Sequence, residues 1–129
     1  MPLIVETIIT TRAKSGEVHI APLGLIADGE HWIIAPFKPS TTLDNLHENP
    51  CAVANHVDDV RVFAGCLTGR KNWPLNRAEK VDGAVLKLAM THWELKVENI
   101  EDDDVRPRFH CRAVYRAGHK PWAGFNRAQ

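Results

Sequence analysis

LIVETIITTRAKSGEVHIAPLGLIADGEHWIIAPF, Leu3 to Phe37, decides the fold. Its first ten residues, Leu3 to Arg12, are rich in Ile, Val and Thr, side chains that suit a pleated and half-buried strand. Ile4, Glu6, Ile8 and Thr10 fall on one face; Val5, Thr7, Ile9 and Thr11 fall on the other. AKSGE, Ala13 to Glu17, is a short turn with a glycine, and Val18 to Ala27 reads as the returning strand of a hairpin. Asp28-Gly29 marks the next turn, and His31 to Phe37 is a third strand. Turns this short make an antiparallel meander. A parallel βαβ unit needs a crossover of roughly a dozen residues or more.

Beyond Phe37 the pattern changes. Ser40 to Glu48 reads as a short helix capped by Thr42, with Leu43 and Leu46 on its inner face and Asn49-Pro50 ending it. Cys51 to Val57 returns to strand. Asp58-Asp59 caps a second short helix over Val60 to Leu67, and Gly69 to Asp82 is a long polar loop. Ala84 to Asn99 is a long β-like run whose apolar register slips between Leu88 and Trp93, which suggests a bulge. Glu101 to Asp104 is an acidic turn, and Arg108 to Tyr115 is the last strand. The expectation is a mainly β chain: six antiparallel strands with two short helices, closed into a barrel that hides its edges.

The 129 residues suit one domain, 1–129, and values of 44% hydrophobic and 25% charged are ordinary for a globular chain. No apolar run approaches the ~20 residues of a membrane helix. MPLIVETIITTR lacks the basic start of a signal peptide, so a soluble, cytoplasmic protein is expected. Sixteen basic residues balance sixteen acidic ones. That argues against bulk capture of nucleic acid, but leaves room for a local cationic pocket and for self-association. Cys51, Cys66 and Cys111 lack metal-site spacing and read as reduced thiols. His47, Cys51 and His56 form a loose cluster, better read as hydrogen-bonded or solvated than as metal ligands. No Ser/His/Asp order, paired carboxylates or Gly-rich P-loop stands out.

Two stretches carry candidate chemistry. PFKPSTTLDNL, Pro36 to Leu46, places Lys38, Ser40, Thr41 and Thr42 where a strand hands over to a helix. A helix N-terminus offers unpaired N–H groups and a positive dipole end, hydroxyls add donors, and Lys38 or Arg12 adds charge; together they suit a phosphate. A capped helix and nothing more explains the hydroxyls equally well. In VHIAPLGL, Val18 to Leu25, Ala-Pro and then Gly interrupt the strand. Main-chain groups are left for a planar heterocycle to approach, or the stretch is a plain edge or bulge. Trp32 and Trp93, in strands, read as core; Trp73 and Trp122, in loops beside prolines, read as interface candidates.

The ordered set ETIITTR, GEVHIAPLG, PFKPSTTLDNL and AVANHVDDVRVFA, from Glu6 to Ala64, resembles the DUF447-like family of flavin reductase-related proteins. A weaker match returns at GFNRA, Gly124 to Ala128. The resemblance implies an FMN-binding split barrel with FMN at a homodimer interface. It sets the phosphate against Ser40, Thr41 and Thr42, helped by Lys38 or Arg12, and the isoalloxazine against Ala21, Pro22, Leu23 and Gly24. Asn45 and Asn55 become polar neighbours, in the pocket or bracing it. Relatives continue into a C-terminal helical segment after that last motif, where this chain stops. The implied activity is that of an FMN-dependent oxidoreductase exchanging a hydride with a nicotinamide or small organic substrate. A non-catalytic flavin carrier, or a split barrel for another ligand, is the alternative. An oligonucleotide-binding barrel is disfavoured by the zero net charge. A dimer burying on the order of 2,000 Å² is expected, because a small barrel cannot enclose FMN alone.

Overall fold

In the computed structural model, which describes residues 3–58, 64–65 and 73–119, the alternation of the first segment becomes β1, Ile4–Arg12. It pairs with β2, Val18–Asp28, along its whole length, from Ile4 opposite Ile26 to Arg12 opposite Val18. Gly16 closes the turn between them at φ 98°, a conformation that L side chains rarely adopt. There follow β3, His31–Ile34; α1, Thr41–Glu48; β4, Cys51–His56; β5, Leu75–Arg77; β6, Ala84–Leu86; β7, Thr91–Glu101; and β8, Arg108–Gly118. Six strands close into an antiparallel barrel in the order β1-β2-β3-β8-β7-β4, and β5 and β6 pair as a separate hairpin. The expected six-stranded, mainly β barrel is the fold of the chain.

Several boundaries differ from expectation. β2 is not interrupted at Ala21-Pro22: each of its residues from Val18 to Ile26 has a partner on β1. β3 ends at Ile34, not Phe37. The helix cap is Ser40, not Thr42; Ser40 is extended, and its Oγ accepts the Leu43 N–H at 3.2 Å. The run from Ala84 is not one strand, since residues 87–90 turn between β6 and β7 and the bulges fall later, at Glu94/Leu95 and Val97/Asn99. The long polar loop contains β5, and β8 continues to Gly118. The expected helix over Val60 to Leu67 lies outside the described residues except at 64–65; Asp59, Cys66, Trp122 and GFNRA lie wholly outside them.

β1 shows how the barrel is layered. Residues Thr7 to Thr11 are all buried, so both faces of the strand are covered. The inner face meets the main core: Ile9, Leu25, Ile34, Ala52, Ala54, Leu95, Phe109 and Cys111, with Leu43 and Leu46 of α1. Ten such buried side chains supply most of the stabilisation, at roughly 1.5–3 kcal/mol for each large one. Trp32 and Trp93 pack on this core with ring centroids 5.0 Å apart, as expected of strand tryptophans. The outer face carries a second cluster of Ile8, Trp73, Leu86 and Ala89. Trp73 is therefore packed against the barrel wall and only 8% exposed, not presented at the surface.

Candidate functional site

α1 lies across the end of the barrel where β1 stops and β4 begins, packed on β1 and β2. Its N-terminus carries the first group of candidates. Ser40 uses its Oγ to accept the Leu43 N–H, which leaves its own hydroxyl proton to donate. The first intrahelical bond runs from the Asp44 N–H to the Ser40 carbonyl at 3.2 Å, so the N–H groups of Thr41 and Thr42 precede the helical ladder. Thr41 is exposed, whereas Thr42 is buried. Lys38 stands two residues before the cap, its Nζ 3.3 Å from Asp102, and this pair holds the Asp102 carboxyl below its usual range.

The remaining candidates divide. Arg12 pairs with Asp82, and its carbonyl accepts from Asn49 Nδ2 at 3.2 Å. Asn49 is the C-cap, so Arg12 sits at the opposite end of an eight-residue helix, about 12 Å along its axis from Ser40. Asn45 is buried and donates to Thr11 Oγ1 at 3.1 Å, tying α1 to β1. Asn55 is wholly buried on the outer wall. Its Nδ2 donates to the Ile8 carbonyl at 2.9 Å, and its Oδ1 accepts the Leu86 N–H at 2.9 Å. Through these bonds both asparagines brace the barrel.

Ala21, Pro22, Leu23 and Gly24 lie together in the half-buried part of β2. β3 meets β2 only over Ile26–Asp28, so from Ala21 to Leu25 no described strand lies on that side. The Leu23 carbonyl accepts from Thr7 Oγ1 at 2.9 Å. Gly24 has a packing reason of its own: a Cβ there would stand 2.7 Å from Ile4 Cγ2, with Glu6 Oε2 at 3.6 Å. The small residue admits the neighbouring strand's side chain.

Sequence reasoning missed a polar network on the outer wall. Glu94 is completely buried, and its carboxylate accepts N–H groups from Glu79 at 2.7 Å, Lys80 at 2.5 Å and Val81 at 3.2 Å. His92 Nε2 adds a fourth contact at 2.8 Å, and His92 Nδ1 in turn meets His119 Nε2. Burial pushes the Glu94 pKa up. The backbone N–H groups and the His92 ring outweigh it and hold the acid ionised, below the usual carboxylate range. The only signal in the sequence was the pair of titratable residues at i and i+2, which share a strand face. Cys51 and Cys111 are buried thiols, and burial pushes Cys111 up to about 12. Among the described residues no group of three or more potential ligands is arranged to hold a metal, and no helix is long and apolar enough to cross a membrane. His47 packs against Phe109, 5.3 Å between rings, at the α1 end, while His56 lies at the other end beside Trp93.

Comparison with known proteins follows the same lines. Residues 5–120 match the family described as protein of unknown function (DUF447), N-terminal domain. An FMN-bound DUF447 protein from Methanosarcina mazei superposes with a TM-score of 0.79 at 21% identity, covering 91% of this chain and 61% of that one. The 2-nitrobenzoate 2-nitroreductase of Pseudomonas fluorescens superposes at 0.76 and 20% identity, covering 92% and 64%. Flavoredoxin from Methanosarcina acetivorans superposes at 0.77 and 13% identity, covering 91% and 69%. The chain thus spans less than two-thirds of the length of the first two. No curated protein matches it. At these identities the likeness is one of fold, the split barrel.

Proposed function

The chain belongs to the DUF447 N-terminal-domain family, and from that premise we propose that it binds FMN in a groove shared by two copies and serves as a flavin-dependent oxidoreductase. The supporting observations are a Ser40-capped helix end, with Lys38 beside it, on a helix that packs on β2, and the β2 stretch Ala21–Gly24, whose outer main-chain edge no described strand covers. FMN-bound and flavoredoxin neighbours of the same fold point the same way.

The residues fit such a ligand. Ser40 keeps a donor for a phosphate oxygen, the Thr41 N–H adds a second, and the helix dipole favours the anion. Lys38 must exchange Asp102 for the phosphate, a small cost because that pair is exposed. Arg12, at the far end of α1 and paired with Asp82, is the weaker of the two cation candidates. Thr42 and Asn45, both buried, hold the helix in place from beneath. The uncovered edge of β2 supplies main-chain groups for the rim of a flat ring. Bound FMN would supply hydride-transfer chemistry, and the protein's part is to bind, orient and shield.

Purified protein titrated with FMN and with riboflavin tests the reading. Lys38→Ala combined with Ser40→Ala should weaken FMN by about tenfold or more and leave riboflavin nearly unchanged. Equal losses would remove the phosphate assignment. Bleaching of the bound flavin by NADH or NADPH separates the oxidoreductase from a carrier, and light scattering that finds a monomer with FMN bound would refute the shared groove.

A further inference from the structure

Among the described residues, the end of the barrel opposite α1 is an open mouth. β4 ends there, β7 begins there and β8 finishes there. His56, Trp93, Arg116 and Ala117, with Val5 of β1, line a cavity of about 560 Å³. That volume is in the range of small-ligand sites, and barrel mouths are a common place for them.

Three features of its wall point to one kind of occupant. The Arg116 guanidinium lies 4.3 Å from the Trp93 ring centroid. Arg12, Arg112 and Lys38 each have a carboxylate partner; Arg116 has none among the described residues. Stacking on an aromatic face leaves the in-plane N–H fork of a guanidinium available. The His56 ring stands edge-on to Trp93 at 4.5 Å, and its Nε2 is buried without a hydrogen-bond partner. A buried polar atom left unpaired needs an explanation. Burial first, then the charges of Arg116 on β8 and His92 on β7, hold the His56 ring below its usual pKa, so it is neutral. Val5, Thr91, Ala117 and Gly118 complete a mostly apolar wall, in which Thr91 brings the one hydroxyl.

One exposed guanidinium at the rim of an apolar cavity matches a planar monoanion. A phosphate dianion calls for a helix N-terminus or a nest of N–H groups, and among the described residues that line the mouth neither is present. We propose that the mouth of the barrel is a second ligand site, taking a small apolar carboxylic acid with its carboxylate on Arg116 and its hydrocarbon body against Val5, Trp93 and Ala117. A carboxylate there also offsets the Arg116 field on His56. Binding therefore raises the proton affinity of that ring, a signature that simple apolar filling does not give. The site is independent of flavin.

The test is an NMR titration of the full chain with phenylacetate and with its neutral counterpart phenylacetamide, following the His56 ring signals. Phenylacetate should bind saturably, and phenylacetamide about tenfold more weakly or worse. Phenylacetate should raise the His56 pKa; phenylacetamide should not. Arg116→Gln, an exposed and foldable change, should bring the acid down to the affinity of the amide. Val5→Phe, which enlarges a side chain on the core-facing side of β1 that lines the mouth, should weaken both. Equal affinity for acid and amide, wild-type binding by Arg116→Gln, or no saturable binding at all would overturn the proposal. So would displacement of phenylacetate by FMN, which would place both in one site; failure of FMN to bind would leave the mouth site standing.

Discussion

The barrel is covered in two unlike ways. Across one end, α1 is held mainly by apolar burial, Leu43 and Leu46 joining Ile9, Leu25, Ile34 and Phe109 in the main core. Along the outer wall, the β5–β6 hairpin joins the second apolar cluster through Leu75 and Leu86, and it and the segment joining its strands are also tied down by buried hydrogen bonds. Thr10 Oγ1 donates to the Ala84 carbonyl at 2.5 Å, Asn55 accepts from Leu86, and Glu94 gathers three consecutive N–H groups. Apolar cover is non-directional, and neighbours can partly relax around a lost side chain. Polar cover is directional, and a missing partner leaves buried donors that nothing nearby can satisfy.

Glu94→Ala should show the largest effect. It removes the buried acceptor of three backbone N–H groups and of the His92 ring and should cost about 3–5 kcal/mol in urea unfolding. A loss under about 1 kcal/mol would mean the wall does not depend on its polar anchor. Leu46→Ala, at the apolar end, should cost about 2–5 kcal/mol, with its spread set by how far α1 settles into the gap.

Acid should separate the two covers further. The folded-state pKa of Glu94 is depressed. Its contribution is therefore complete above the ordinary carboxylate value of about 4.3 and is lost as pH falls through the lower folded value. Below about pH 4.3, stability should fall more steeply in wild type than in Glu94→Gln, whereas Leu46→Ala should track wild type. His56 acts earlier. Its folded pKa is also lowered, so the unfolded chain takes up protons first, and stability begins to fall as pH drops below about 6.5. His56→Phe should reduce that first slope in a melting series, with His119, also held below its usual pKa by burial, supplying part of what remains. The smallest change is Ser40→Ala, which removes one cap bond and should cost about 1 kcal/mol, read from the denaturant midpoint.

The same contrast explains what the sequence could and could not reveal. β1 and β2 announce themselves through alternation, and α1 through its hydroxyl-rich entry and Asn-Pro exit, because apolar spacing is written locally. β5 is three residues, LNR, with no alternation to read. The roles of Asn55 and Glu94 depend on groups 31 and 13–15 positions away, which no local pattern encodes. Trp73 looked like a surface residue beside Pro74 because nothing local shows that the outer face of β1 is itself covered. Pro22 looked like a strand breaker; β2 tolerates it where no described strand lies on its other side. Of the candidate site, the helix entry was legible, whereas the unbroken run of β2 through Ala21-Pro22 was not. Nor was the pairing of Arg12 with Asp82, 70 positions apart.

The margin of β2 that no described strand covers has a cost in solution. From Ala21 to Leu25 the chain carries no charged side chain, the usual gatekeeper against sticky edges. An open β margin without a gatekeeper is a template for any extended peptide, and a proline, lacking an N–H, limits how far such a ladder can propagate. Pro22 thus acts as a stop in the middle of the seam, and replacing it with valine should raise the tendency to form aggregates at high concentration while the barrel itself stays folded.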